Sequence, residues 1–219
     1  MKTKSKALLL TLCAVLLVAA SVLGTMAYLT DKETVTNTFT VGKVSIKLDE
    51  AKVNLNGEPL NDKDEVVDLK GALRVTENSY KLMPGHTYTK DPTIHVDVDS
   101  EECYLFVKVE NGIAAIEAEG NTKIASQMAA KGWKLVDNQT NVYVYIGTAE
   151  DASAPVAVKA GDDVTVFEKM VITDSVNGTG LAAYKDATIK VTAYAVQKDG
   201  FENKAASEIW TTAFTTTGA

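Results

Sequence analysis

The sequence predicts an all-β fold, a jelly-roll-like β-sandwich with one or two short peripheral helices. Three observations carry that expectation. Short segments with period-two apolar alternation recur along the chain, clusters of Gly, Asn, Asp and Pro separate them, and few stretches have helical spacing. At 219 residues, 46% hydrophobic and 23% charged, the composition is globular, neither disordered nor collagen-like. No fixed-period repeat stands out.

The chain opens on a targeting pattern. Lys2, Lys4 and Lys6 precede an apolar run from Ala7 to Leu23. Thr25 and Ala27 are the small residues of a cleavage site before Tyr28, so residues 1–27 read as a secretion signal. An uncleaved membrane anchor is the alternative, because the run approaches the roughly 20 residues a span needs. Loss of the signal leaves 19 basic residues against 29 acidic ones. Such a chain does not seek nucleic acid, and anionic lipid repels it. The expected location is outside the cell, in an extracellular matrix or on the cell surface, with membrane contact only through the signal before cleavage. Cys13 lies in the signal, which leaves Cys103 without a disulfide partner. Its alternation with Leu105, Val107 and Val109 places it on an apolar strand face.

Residues 28–49 form the first segment of the expected mature chain, followed by a sandwich domain over 50–219. In FTVGKVSIKL, Phe39 and Val41 share one parity and Val44, Ile46 and Leu48 the other, with Gly42 as a bulge or kink between them. Asn56-Gly57 marks a turn, Asn177-Gly178 another between later strands, and the acidic run Asn61 to Glu65 a solvated loop. Pro84-Gly85 fits a tight turn. Ile94, Val96 and Val98 then alternate with His95, Asp97 and Asp99, and Cys103 to Val109 is the return strand. Asn121 to Gly132 is the best helix, with Ile124 and Met128 on one face and Gly132 closing it. Strands follow at Trp133 to Val136, Val142 to Ile146, Asp163 to Thr173 and Ala187 to Val196, the second of them apolar on both faces. A short helix carrying Ile209 and Trp210 is expected near the end.

Catalytic signals are sparse. Neither His86 nor His95 sits in a His-Glu-x-x-His run, and there is no Cys-x-x-Cys pair, nucleophile elbow or phosphate loop. The one constellation with metal chemistry is His95, Asp97 and Asp99. Alternate residues of a strand share a face about 6–7 Å apart, a spacing open to a structural cation with N and O ligands. The simpler reading is the polar solvent face of an antiparallel strand. No other cofactor is expected.

The stretch GTMAYLTDKETVTNTFTVGKVSIKL resembles the signal junction of the TasA and camelysin (CalY) family of secreted Gram-positive proteins, through Ala27, Tyr28, Asp31, Asn37, Phe39, Gly42, Val44 and Ile46. LMPGHTYTKDPTIHV is similar to the family's Leu-x-Pro-Gly segment through Leu82, Pro84 and Gly85, and IKVTAYAVQKDGF is a looser match. The resemblance implies a jelly-roll-like sandwich, cleavage by a dedicated signal peptidase of the SipW type, and export into the biofilm matrix. It also implies self-assembly into fibres, in which the freed N-terminal strand adds to a neighbouring subunit. Phe39, Val41, Val44 and Ile46, with Gly42 between them, would form that assembly strand. The alternative is that the segment is simply the first strand of its own sheet. The family also carries a metal-dependent endopeptidase label, but this sequence departs from zinc-protease patterns. A membrane-tethered adhesin is the third reading.

Overall fold

The computed structural model describes residue 6 and residues 11–16, 43–149 and 152–215. It comprises two units, Met1–Val41 and Gly42–Ala219. In the first, residues 11–16 are helical. No helix among the described residues is long and apolar enough to cross a membrane. Thr25, Ala27 and Tyr28 of the expected cleavage site, and Phe39, Val41 and Gly42 of the expected assembly strand, lie outside the described residues.

The second unit is an all-β sandwich with a few short helices, as expected. One sheet carries β1 (Ile46–Ala51), β2 (Arg74–Val75), β4 (Thr93–Val96) and β9 (Asp163–Thr165) in the order β2-β1-β4-β9. The other carries β5 (Cys103–Asn111), β6 (Trp133–Leu135), β7 (Val142–Tyr145) and β11 (Ile189–Gln197) in the order β11-β5-β7-β6, with β8 (Ala157–Val158) also on β5. A small third sheet pairs β3 (Thr87–Thr89) with β10 (Lys169–Val171). Every strand pair described is antiparallel.

The strand β5 explains the layering. Its sequence CYLFVKV has apolar residues at both parities, so both faces must be covered. Cys103, Leu105, Val107 and Val109 face the other sheet and share a core with Ile94, Val96 and Val164. Tyr104 and Phe106 point the opposite way, into a second core with Val142, Val144, Ile209 and Trp210. The last two ride on a short helix, Ala206–Trp210, which continues as a wide π turn. Phe106, Tyr194, Trp210 and Phe214 pack there with ring centres 5.0–5.8 Å apart. The helix Ile124–Ala130 buries Ile124 and Met128, as its spacing predicted. Its first N–H is held by Glu117, whose Oε1 accepts from Ile124 N at 2.9 Å.

Four expectations change. Asp163 to Thr173 is not one strand: the chain bends at Val166 to Glu168, and β9 and β10 join different sheets. The partner ribbon bends at the same level, at Lys90 to Pro92, because Pro92 cannot donate to a ladder. Val98 is 88% exposed, because β4 ends at Val96 and the apolar alternation ends with it. Asn177-Gly178 begins a helix, Gly178–Ala182, with Asn177 Oδ1 accepting from Gly180 N at 2.8 Å. The expected boundary between residues 49 and 50 falls inside β1, whose residues 46–49 pair with β4.

Two glycines hold close backbone approaches. Gly57 has φ +79°, and an added Cβ would lie 2.6 Å from Tyr88 Cα. Gly132 has φ +86°, and its Cβ would lie 2.3 Å from the Gly147 carbonyl oxygen, backbone against backbone. Gly132→Ala is therefore expected to cost on the order of 2–4 kcal/mol, combining left-handed strain and overpacking. The urea midpoint with an unchanged m-value checks this; a shift worth only a few tenths would refute the close approach.

Candidate functional site

The candidate binding feature is the side of the sandwich where β1 and β11 run past each other. Gly112 N–H donates to Thr188 O, and Lys198 N–H to Glu102 O, at 2.9 Å each. The even-numbered residues of β11 therefore spend their backbone groups on β5. Val191, Ala193 and Ala195 turn theirs to the opposite edge, where no described strand pairs with them. The same holds across the seam. Asp97 N–H donates to Ser45 O, and Lys52 N–H to Leu73 O, so Ile46 and Leu48 aim their backbone groups away from β4. The strand β2 reaches only Glu50 and Ala51. Each sheet thus presents an edge without a described partner on this one side.

The side chains match the backbone. Val44, Ile46 and Leu48, together with Val191, Ala193 and Ala195, pack half-buried against the main core. A cleft of about 430 Å³ separates the two strands, lined by Leu48, Asp49 and Glu50 on one wall and Ile189, Lys190 and Val191 on the other. Of the assembly residues read from the sequence, Val44 and Ile46 are thus built into their own sandwich, with Ile46 opposite Val96.

The cleft is bounded by charge. Arg74, the single arginine among 22 basic residues, reaches from β2 under β1. Its Nε donates to Asp49 Oδ1 at 2.7 Å, its Nη1 to Asp91 Oδ2, and its Nη2 to the Asp49 carbonyl at 3.0 Å. Asp91 Oδ1 in turn accepts from Ala51 N at 2.7 Å. Only a planar fork with five donors makes all these bonds at once. Burial pushes the Asp49 carboxyl up, but hydrogen bonds from Arg74, Lys47 and His95 outweigh it and hold the group down at about 2.

The metal triad drawn from the sequence does not come together. His95 places Nδ1 2.6 Å from Asp163 Oδ1 and Nε2 2.9 Å from Asp49 Oδ1. Asp97 accepts from the Ser45 hydroxyl instead, and Asp99 lies 3.5 Å from Lys43 Nζ. Asp97 and Asp99 are each held by the residue across from them, Ser45 and Lys43, so the three side chains keep separate partners. Among the described residues no three metal-capable side chains gather at one point. His86 is occupied elsewhere, with Nε2 2.8 Å from the Asn56 carbonyl. Cys103 is wholly buried, and burial pushes its thiol up to about 11.

Sequence reading missed Asp49, Arg74 and Asp91. The available signal was compositional, a lone arginine in a lysine-rich chain. Comparison with family models, with curated proteins and with solved structures yields no match.

Three outcomes are expected. A carboxyl depressed in the fold stabilises it above the unfolded value near 4, and that stability is lost as the pH falls from about 4 to about 2. For Asp49 this amounts to about 2 kcal/mol. Arg74→Ala leaves Asp49 and Asp91 buried without their cation, so it should cost about 3–5 kcal/mol at neutral pH. It should also move acid unfolding to higher pH, read by tryptophan fluorescence; an unchanged acid transition would contradict this account. In a Cys13→Ser background, Cys103 should react with a thiol reagent only after denaturation. Rapid labelling of the native protein would show the site to be open.

Proposed function

We propose that this chain is a secreted structural protein of a bacterial extracellular matrix. In this reading, fibres grow as the N-terminal segment of one subunit adds as a strand to the next. The observation that supports it is the seam between β1 and β11, where both sheets carry outward-facing backbone groups over half-buried apolar side chains. Natural sandwiches usually protect such edges, because an unpaired edge recruits another strand. Here an added strand gains backbone hydrogen bonds and an apolar floor together, the mode known as β-augmentation.

The donor in this proposal is the segment just upstream of β1, freed at Tyr28 by a dedicated signal peptidase. Phe39 and Val41 are its inward-facing side chains, flanking Thr40, with Gly42 as the hinge into the domain. Val44 and Ile46 pass from the donor role to the wall of the acceptor. A donor at one end and an acceptor along the side make a heterologous contact, which propagates instead of closing. No catalytic group or metal enters this reading.

The test compares mature protein starting at Tyr28 with two variants, by negative-stain electron microscopy. One starts at Lys43, which removes the donor and keeps β1 whole. The other is Ala193→Pro, which deletes an outward N–H while sparing the ladder to β5. Filaments are expected from the mature form only, with all three folded by circular dichroism. Filaments from the form starting at Lys43, or none from the folded mature form, would remove the proposal's basis.

A further inference from the structure

Close to the seam lies a group of side chains that strand addition does not use. Lys90 and Glu50 are only 8% and 6% exposed, an unusual place for either residue. Lys90 sits at the bend between β3 and β4 and turns inward, where Nζ donates to Glu50 Oε2 at 2.7 Å. The second oxygen of the same carboxylate, Oε1, accepts from Asn78 Nδ2 at 2.9 Å. One carboxylate therefore holds an amine and a carboxamide side by side. The amide carbonyl, Asn78 Oδ1, accepts from Val53 N–H at 2.9 Å, and Nδ2 also donates to the Ala51 carbonyl at 2.8 Å. The Tyr80 ring covers the amine, with its centre 5.6 Å from Nζ. All four side chains line a cleft of about 510 Å³.

From this juxtaposition we infer that Lys90 and Asn78 form a covalent side-chain amide, with Glu50 as the catalytic proton carrier. Each partner is set for that reaction. Glu50 can take a proton from Nζ, leaving a neutral amine in a site that Tyr80 shields from water. The Val53 N–H polarises the Asn78 carbonyl and would hold the charge that develops on Oδ1. The hydrogen bond from Nδ2 to Glu50 aims the proton carrier at the leaving group.

The step balances without any other reactant. Lys90 Nζ attacks Asn78 Cγ, and the Nζ–Cγ bond forms. Glu50 gives its proton to Nδ2 and takes another from Nζ. The Cγ–Nδ2 bond breaks and ammonia leaves through the cleft, then takes the proton from Glu50 to leave as ammonium. The start is an ammonium, a carboxylate and a carboxamide; the end is a secondary amide, a carboxylate and free ammonium. Nothing is oxidised or reduced.

The amide would tie the loop after β2 to the entry of β4, behind β1. The sandwich has no disulfide, since Cys103 is its single cysteine and is free. The inference stands on this geometry alone and does not depend on fibre formation.

Intact-mass spectrometry of the full chain, purified after expression with its own leader, tests it. The expected mass is one ammonia below that of the linear sequence with the observed N-terminus. A tryptic map should contain a branched peptide in which Val75–Lys81 is joined to the segment beginning at Leu82, without cleavage at Lys90. Lys90→Arg keeps the ion pair but carries no nucleophile, and Glu50→Gln cannot carry the proton; both should show the full linear mass. A wild-type mass equal to the linear chain overturns the inference, whatever the variants do. So does an ammonia loss that persists in Lys90→Arg or is cleaved by hydroxylamine, since a succinimide at Asn78-Ser79 would give that result.

Discussion

The rest of the structure depends on the double burial of β5. From Cys103 to Val107 the strand has no charged side chain, and burying each of Leu105, Phe106 and Val107 contributes roughly 1.5–3 kcal/mol. A strand greasy on both faces cannot choose its orientation by alternation alone, because a one-residue slip still buries apolar groups. Size decides instead. Cys103, Leu105, Val107 and Val109 are compact and suit the interior between two sheets. Tyr104 and Phe106 need a thicker layer, supplied by the aromatic residues of the C-terminal helix and turn. The small sheet of β3 and β10 and the helix Gly178–Ala182 instead build a third core around Tyr88, Met170 and Leu181.

That logic was legible wherever a signal was local. The strands at Ile94 and Ile189 declare themselves by alternation, and those at Cys103 and Val142 by β-branched and aromatic content. The helix under Ile124 and Met128 declares itself by spacing, and the turns at Asn56 and Pro84 by residues that tolerate positive φ. What could not be read was tertiary. Nothing in DVTVFEKMVIT announces that the strand changes sheets at Val166, because the bend answers another at Pro92, far away in sequence. The Asn54 and Asn61 loops repeat one pattern, each Asn accepting from the backbone two and four residues on and donating to a Glu. That equivalence was visible in NLNGE and NDKDE, but only as turn residues.

The polar groups were least legible because their partners come from separate elements. Asp49 and Glu50 sit side by side at the end of an apolar strand and read as its polar terminus. In the fold they diverge to opposite sides of β1, Asp49 to Arg74 and His95, Glu50 to Lys90 and Asn78. Buried charges of this kind contribute little net stability, yet removing one partner is costly. They act as constraints on register. If β1 shifts by one residue against β4, both networks lose their partners at once. His95 shows the same pattern: the carboxylates it touches belong to β1 and β9 instead of its own strand.

Together these constraints define what the open seam would accept on the assembly reading. Its apolar length runs along Ile46 and Leu48 on one side and Val191, Ala193 and Ala195 on the other, and it meets Asp49, Glu50 and Lys90 at one end. An entering strand must therefore carry apolar residues on one parity and stop short of the charged end. It must also be slender, because both walls already fill much of the interior and only the two alanines of β11 leave space. On that reading the segment Thr38 to Val41 would meet these terms, since its sequence puts Phe39 and Val41 on one parity and hydroxyls on the other. A phenylalanine opposite alanines is the pairing in which a large side chain has room to enter. On that reading the same alternation would offer Thr38 and Thr40 to water, so a completed seam would not expose a new apolar edge.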